Sequence, residues 1–277
     1  MTYYPIIRGR QYDLLALKAM AKTLSPQIIP IIEPVKDIPA LLGVVNTFAK
    51  VGHALFIVQN PQVGQYGLLA QPKHALPDPM PQPLATARYF DVLPADLVIA
   101  STFGQVRLLA PTQLAVVPDT ARVRALHLPH AIYLSDHYPT RGRTEDYYHV
   151  QREFYQYARQ QLPGVGFSDY PLSTHHYDDR GYPQRAIAMH FLYRQNGQLW
   201  IRHFVSVNND DYQDPGTKFF EARATLAPWL QMHPDARTEA TDAILALDHF
   251  PGLGTVRKLE LMHWLEIMGR FLASSDQ

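Results

Sequence analysis

The chain has 277 residues, 47% of them hydrophobic, which suits one barrel or two small domains and gives enough apolar residues for a sizeable core. Lys plus Arg is 25 and Asp plus Glu is 25, so the zero net charge gives no global pull toward nucleic acid or an anionic membrane, and any such attraction rests on a local patch. The absence of cysteine excludes disulfides, thiolate catalysis, thiolate-bound zinc and iron–sulfur centres. The opening MTYYPIIRGRQYD has no basic segment followed by a long apolar one. No apolar run approaches the roughly 20 residues that span a bilayer, so the sequence reads as cytoplasmic, with no membrane partner.

Short apolar runs alternate with helical stretches. Tyr3–Arg8 predicts a strand, and Gln11–Leu24 a helix with Leu14, Leu15, Leu17 and Met20 at helical spacing. Ile28–Glu33 reads as a buried strand, Ile38–Ala49 as an amphipathic helix and Ala54–Asn60 as a third strand. The proline-rich Pro61–Pro83 reads as a loop. Leu84–Leu93 predicts a helix, followed by strands over Asp96–Ser101, Leu114–Pro118 and Ala131–Asp136 and a helix over Glu145–Gln161. Val165–Asp169 and Ala186–Tyr193 read as the seventh and eighth strands. Eight strand-like runs with interposed helices predict an α/β fold, a TIM-barrel-like (β/α)8 domain over residues 1–277. An open doubly wound sheet is the alternative, weakened by the lack of a glycine-rich dinucleotide fingerprint after the first strand.

The eighth strand runs into Asn196-Gly197, a type I′ hairpin signal. Centring the turn there pairs Gln195 with Gln198, Tyr193 with Trp200 and His190 with His203. Helices over Pro215–Trp229, Thr238–His249 and Thr255–Ala273 finish the chain.

Active sites of barrels lie at the C-terminal ends of their strands. Here those ends carry Arg8 and Arg10, Glu33, Asn60 and Gln62, Asp119, Asp136, and Asp169 with Tyr170, and the hairpin adds His190 and His203. Glu33, Asp119, Asp136, Asp169, His190 and His203 are candidate catalytic groups, because grouped carboxylates share a divalent metal or divide into acid and base. Asn60, Gln62 and Tyr170 complete the expected pocket. No HExxH-type spacing names a metal, so its identity stays open. Asp and Asn also cap helices and form turns, which is the competing structural reading. The loop PGLGT before Val256-Arg257-Lys258 places Arg257 and Lys258 near a helix start, where free N–H groups and cations suit phosphate; Lys218, Arg8 and Arg10 are further candidates.

The stretches YYPIIRGRQYDLLAL, IIPIIEPVK, IVQNPQVGQYG, GFSDYPL, AIAMHFLY, IRHFVSVNNDD, TKFFEA and PGLGTVRKLELMHWLEIMG, in this order over nearly the whole chain, resemble the bacterial and prophage "beta protein" family. The resemblance implies a barrel-like fold and a neighbouring PD-(D/E)XK-type nuclease-like protein in mobile or defence-linked loci. It implies a role in phage defence or in a toxin–antitoxin-like pair, and carries no catalytic residues with it. Its blocks include Arg8, Glu33, Asn60, Asp169, His190, His203, Lys218 and Lys258.

Two functions of different class follow. One is a metal-assisted hydrolase or phosphodiesterase acting on a nucleotide or nucleic acid. The other is a non-catalytic immunity or regulatory subunit that binds a co-encoded nuclease-like protein, a reading that the clustered Tyr147, Tyr148, Tyr155 and Tyr157 suit.

Overall fold

Pro5 cannot donate a ladder hydrogen bond, and in the computed structural model, which describes residues 1–156, 164–178 and 184–274, it divides the first expected strand. The pieces are β1 (Thr2–Tyr3) and β2 (Ile6–Arg8). Helix α1 (Gln11–Met20) ends earlier than expected, where the N–H groups of Thr23 and Leu24 fold back to the Met20 carbonyl ahead of Ser25-Pro26. Next come β3 (Ile31–Glu33), α2 (Pro39–Val51) with Pro39 in its first turn, and β4 (Leu55–Val58).

The helix expected over 84–93 is instead a strand, β5 (Leu84–Tyr89), paired on both sides in the sheet. Its buried residues Leu84 and Ala87 are three apart and imitate a helical face, and pairing with its neighbours overrides local propensity. The order continues with β6 (Leu97–Ile99), α3 (Phe103–Val106), β7 (Ala115–Pro118), α4 (Ala121–Arg124) and β8 (Ala131–Leu134). After β9 (Arg152–Gln156), which belongs elsewhere, comes β10 (Gly166–Ser168).

The chain divides into two units, Met1–His137 with Gln161–Tyr177 and Tyr138–Gln160 with Asp178–Gln277. The first is a barrel-like α/β unit. Its nine described strands are all parallel, in the order β1-β10-β8-β7-β6-β5-β4-β3-β2. The two ends of that order are consecutive in sequence. Segment 2–8 receives the Ile29 N–H on the Tyr3 carbonyl (2.9 Å) and the Ile31 N–H on the Pro5 carbonyl (2.8 Å). It also donates from Tyr4 to the Phe167 carbonyl (2.8 Å) and from Ile6 to the Asp169 carbonyl (2.9 Å). One face of the sheet packs Tyr4, Ile6, Ile31, Val58, Val116 and Ile132 together. The opposite face packs Ala115, Val117, Ala131 and Tyr133 against Val106 and Val123 of the short helices.

The second unit is antiparallel. The strand expected as the eighth of the parallel sheet is β11 (Ala188–Gln195), which pairs with β12 (Gln198–Val205) in the predicted register, Gln195 with Gln198 through His190 with His203. Asn196 and Gly197 take φ of 52° and 75°, the left-handed pair a type I′ turn requires. Strand β9 pairs with the other edge of β12. The helix expected over 145–161 is instead a 3-10 turn (Thr144–His149) followed by β9, where Phe154 and Tyr155 suit a pleated surface; residues 157–161 lie outside the described residues.

Four helices follow: α5 (Pro215–Ala224), α6 (Leu226–Met232), α7 (Glu239–Ala246) and α8 (Leu253–Ala273). The single helix expected over 215–229 breaks at Thr225 because Pro228 lacks the N–H to continue it. The core of this unit gathers Phe191, Phe204, Phe219, Leu226, Trp229 and Ile244. Among the described residues no helix is long and apolar enough to cross a membrane.

Candidate functional site

Side chains alternate between the faces of a strand, so parity decides which strand-end residues meet. Arg8 continues the Tyr4–Ile6 parity, Glu33 that of Ile31, Asn60 that of Val58, Tyr89 that of Ala87 and Asp136 that of Ile132. All therefore belong to the core face at its C-terminal rim, with Tyr170. Asp119 and Asp169 have the other parity. Asp119 accepts from Arg124 Nη2 (2.6 Å) and Ser135 Oγ (3.1 Å), and Asp169 accepts the Tyr3 hydroxyl (2.5 Å), whose ring stacks on Phe167. The expected set of four cooperating carboxylates is thus divided between two faces.

On the core face Arg8 and Glu33 form an ion pair, with Glu33 fully buried and Arg8 5% exposed. Glu33 also accepts the Tyr89 hydroxyl (2.7 Å) and the Gln62 backbone N–H (2.8 Å). The Arg8 guanidinium lies 4.8 Å from the Tyr170 ring centre, and its Nη2 donates to the His175 carbonyl (2.7 Å). Its Nε is buried with no hydrogen-bond acceptor. Burial raises the pKa of Tyr89 and Tyr170, so both stay protonated. Asn60 is tied to the backbone of Tyr89 in both directions, and Gln62 donates its side-chain N–H to the Asn60 carbonyl. These two residues fix the loop that delivers an N–H to Glu33.

Beside Arg8, Asp136 accepts the His175 backbone N–H (3.1 Å) and also binds the imidazole Nδ1 of His175. The His175 side chain is 77% exposed. A carboxylate on Nδ1 fixes the tautomer that leaves Nε2 as an acceptor. Arg10, two residues beyond β2, places its guanidinium 4.9 Å from the Tyr177 ring centre.

The second unit carries a separate polar cluster. His190 and His203 approach Nδ1 to Nδ1 at 2.7 Å, and His203 Nε2 lies 3.1 Å from Glu153 Oε2. With Glu153 ionised, one assignment satisfies both contacts: His203 Nε2–H donates to Glu153, and His190 Nδ1–H donates to His203 Nδ1. The Tyr147 ring lies tilted against both, with ring centres 4.5 and 4.7 Å away. Burial lowers the pKa of His190, reinforced by His203, and burial holds His203 down to about 4. Burial likewise pushes Tyr147 up to about 12. Glu260 accepts the His190 backbone N–H (2.6 Å).

Helix α8 begins at Leu253, two residues before the expected start, so Arg257 and Lys258 sit in its second turn rather than at its free N–H groups. Lys218 is buried, and its ammonium donates to the carbonyl (2.6 Å) and carboxylate (3.0 Å) of Asp211.

Sequence reasoning missed Tyr89, His175, Glu153 and Glu260. Tyr89 lay inside a stretch read as helix. Glu153 lay in another, yet strand pairing sets it opposite Ile201. His175 had a signal, two adjacent histidines just after a strand-end aspartate and tyrosine. Among the described residues, no three His, Asp or Glu side chains come together as a metal-ligand group. No family model, curated protein or solved structure matches the chain.

Proposed function

We propose that the core-face rim of the first unit is a phosphodiester-hydrolysing site for a nucleotide or nucleic acid, with His175 as general base. The observation that carries this is the pairing of an exposed imidazole with a strand-end carboxylate, Asp136, beside Arg8. Asp136 orients the ring so that Nε2 is the atom that takes a proton from water. The resulting oxygen nucleophile attacks phosphorus, the bond to the leaving oxygen breaks, and the proton held by the imidazolium returns to that oxygen. Arg10 supplies positive charge for the phosphate, and the buried Arg8 holds the His175 segment in place through its carbonyl. The base chemistry rests on the imidazole, and any divalent ion would add to it. We also infer that the parallel sheet is an altered (β/α)8 barrel in which segment 2–8 serves as one strand for both ends. That architecture supports the site, since rims of such barrels host reactions of many kinds. Action on foreign nucleic acid would suit the defence role that the family resemblance implies.

The test is hydrolysis of bis(p-nitrophenyl) phosphate, single-stranded and duplex DNA, and RNA, with and without Mg²⁺ or Mn²⁺. Activity that falls at least about 100-fold in His175→Ala, the scale of a lost general base, supports the reading. Activity unchanged in that variant, or none on any substrate, refutes it.

The second reading, a non-catalytic subunit binding a co-encoded nuclease-like protein, draws support from Glu33, Asp119 and Asp169. All three are committed to internal partners, as a rigid scaffold needs. It is favoured if the neighbouring protein co-purifies and His175→Ala leaves the complex and its phenotype intact.

A further inference from the structure

The second unit contains a polar cleft of about 300 Å³ that the proposed hydrolase does not use. It is lined by Arg143, which precedes the 3-10 turn, by Thr144 and Glu145 of that turn, by Gln184 and Arg185 ahead of β11, and by Tyr212 before α5. Two guanidinium groups against one carboxylate leave the lining with one net positive charge. Arg143 is 70% exposed and only loosely paired, its Nη1 being 3.9 Å from Glu145. Arg185 lies with its guanidinium 5.1 Å from the Tyr212 ring centre and hydrogen-bonded to the Tyr212 side chain, while its Nε is buried with no hydrogen-bond acceptor. A buried charged donor without an acceptor is costly in a folded protein, and this one belongs to a side chain that lines the cleft. Tyr212 is 56% exposed and is held next to that arginine.

We propose that this cleft binds a nucleoside monophosphate. Arg143 and Arg185 meet the phosphate, whose several oxygens suit forked guanidinium donors. The Thr144 hydroxyl adds a neutral donor. Glu145 accepts from the sugar hydroxyls, which gives the carboxylate a use beside the two arginines. The exposed Tyr212 ring offers a face on which the base stacks. The volume lies at the lower end of ligand pockets, which fits one nucleotide and not a polymer. The cleft is built only from residues of the second unit.

Calorimetric titration of the whole protein with AMP, ribose 5-phosphate and inorganic phosphate separates the contributions. AMP should bind saturably, and the two smaller phosphates at least about tenfold more weakly, since they lack the stacking contact. Tyr212→Ala should bring AMP down to the affinity of ribose 5-phosphate and leave inorganic phosphate unaltered. Arg185→Ala should weaken all three by about tenfold or more, the scale of a lost charge-assisted contact. Arg143→Ala, at an exposed position that folding tolerates, should do the same. His175→Ala should leave AMP binding unchanged, so failure of the rim site and failure of this site are distinguishable. The proposal is overturned if AMP shows no saturable binding up to about 10 mM, the weak limit for a specific contact. It is equally overturned if binding persists unchanged in Arg143→Ala or in Tyr212→Ala.

Discussion

His190 and His203 face each other across the β11–β12 hairpin with their Nδ1 atoms 2.7 Å apart, a contact that only neutral imidazole on at least one side permits. Burial holds His203 down to about 4, and burial does the same for His263, which sits between the Thr238 hydroxyl and the Leu192 carbonyl. The folded-state values lie below the unfolded value near 6.5, so below that pH the unfolded chain binds more protons and stability is lost. The window runs from about pH 6.5 down to about pH 4. Each of these two histidines should remove roughly 2 kcal/mol between pH 7 and pH 5. Urea denaturation followed by tryptophan fluorescence at the two pH values checks this, since Trp200, Trp229 and Trp264 all belong to this unit. A midpoint that stays level or rises as the pH falls sinks the idea.

The Arg8–Glu33 pair should behave as a buried charge pair whose halves need each other. Glu33 is fully buried, and removing the guanidinium leaves its carboxylate with only Tyr89 and the Gln62 N–H. Arg8→Ala should therefore cost about 3–5 kcal/mol, whereas the double replacement Arg8→Met with Glu33→Leu should cost far less. The urea midpoint of the first unit reads both. Equal losses in the single and double variants would show that shape, not charge, holds this rim together.

In the proposed hydrolase Asp136 is a positioning residue acting through His175. Asp136→Asn should reduce kcat while leaving KM for a phosphodiester nearly unchanged, and the drop should be largest where the imidazole has to accept a proton. The pH–rate profile of the variant, compared with that of His175→Ala, is the check. A rise in KM alone would reassign Asp136 to holding the 170–177 segment.

The β11–β12 hairpin was legible residue by residue, because Asn196-Gly197 fixes a turn and period-2 pairing does the rest. The parallel strands were legible as apolar runs for a similar reason. What the runs concealed was β5, where Leu84 and Ala87 imitate a helix, and β9, whose partner lies more than forty residues away at β12. Both errors concern non-local pairing, which local patterns do not encode. The rim was half legible. Its polar residues could be picked from strand ends, but treating them as one set ignored parity. Asp119 follows Val117 and Asp169 follows Phe167, and both lead to the face opposite Glu33. The sequence contained that parity, but fixing it required the strand boundaries. His175 is beyond the last parallel strand, and only the fold brings it to Asp136.

Gly64 tests whether the loop after β4 is held by backbone conformation or by packing. It takes φ of +77°, and a Cβ there would sit 2.4 Å from the Val35 carbonyl oxygen, so Gly64→Ala meets both a left-handed backbone and a backbone clash. Gly52 is its control: φ is +72° but nothing lies within 4 Å, so Gly52→Ala should cost only the roughly 1 kcal/mol of the conformation itself. Gly64→Ala should cost at least about twice that, because Val35 lies two residues past Glu33, behind the rigid Pro34, and cannot retreat without moving Glu33. The displaced loop carries Gln62, whose N–H reaches Glu33, so the variant should also lose hydrogen-exchange protection at Gln62. Equal destabilisation by the two substitutions, with Gln62 protection intact, would show that the loop yields to the added methyl and does not position the rim.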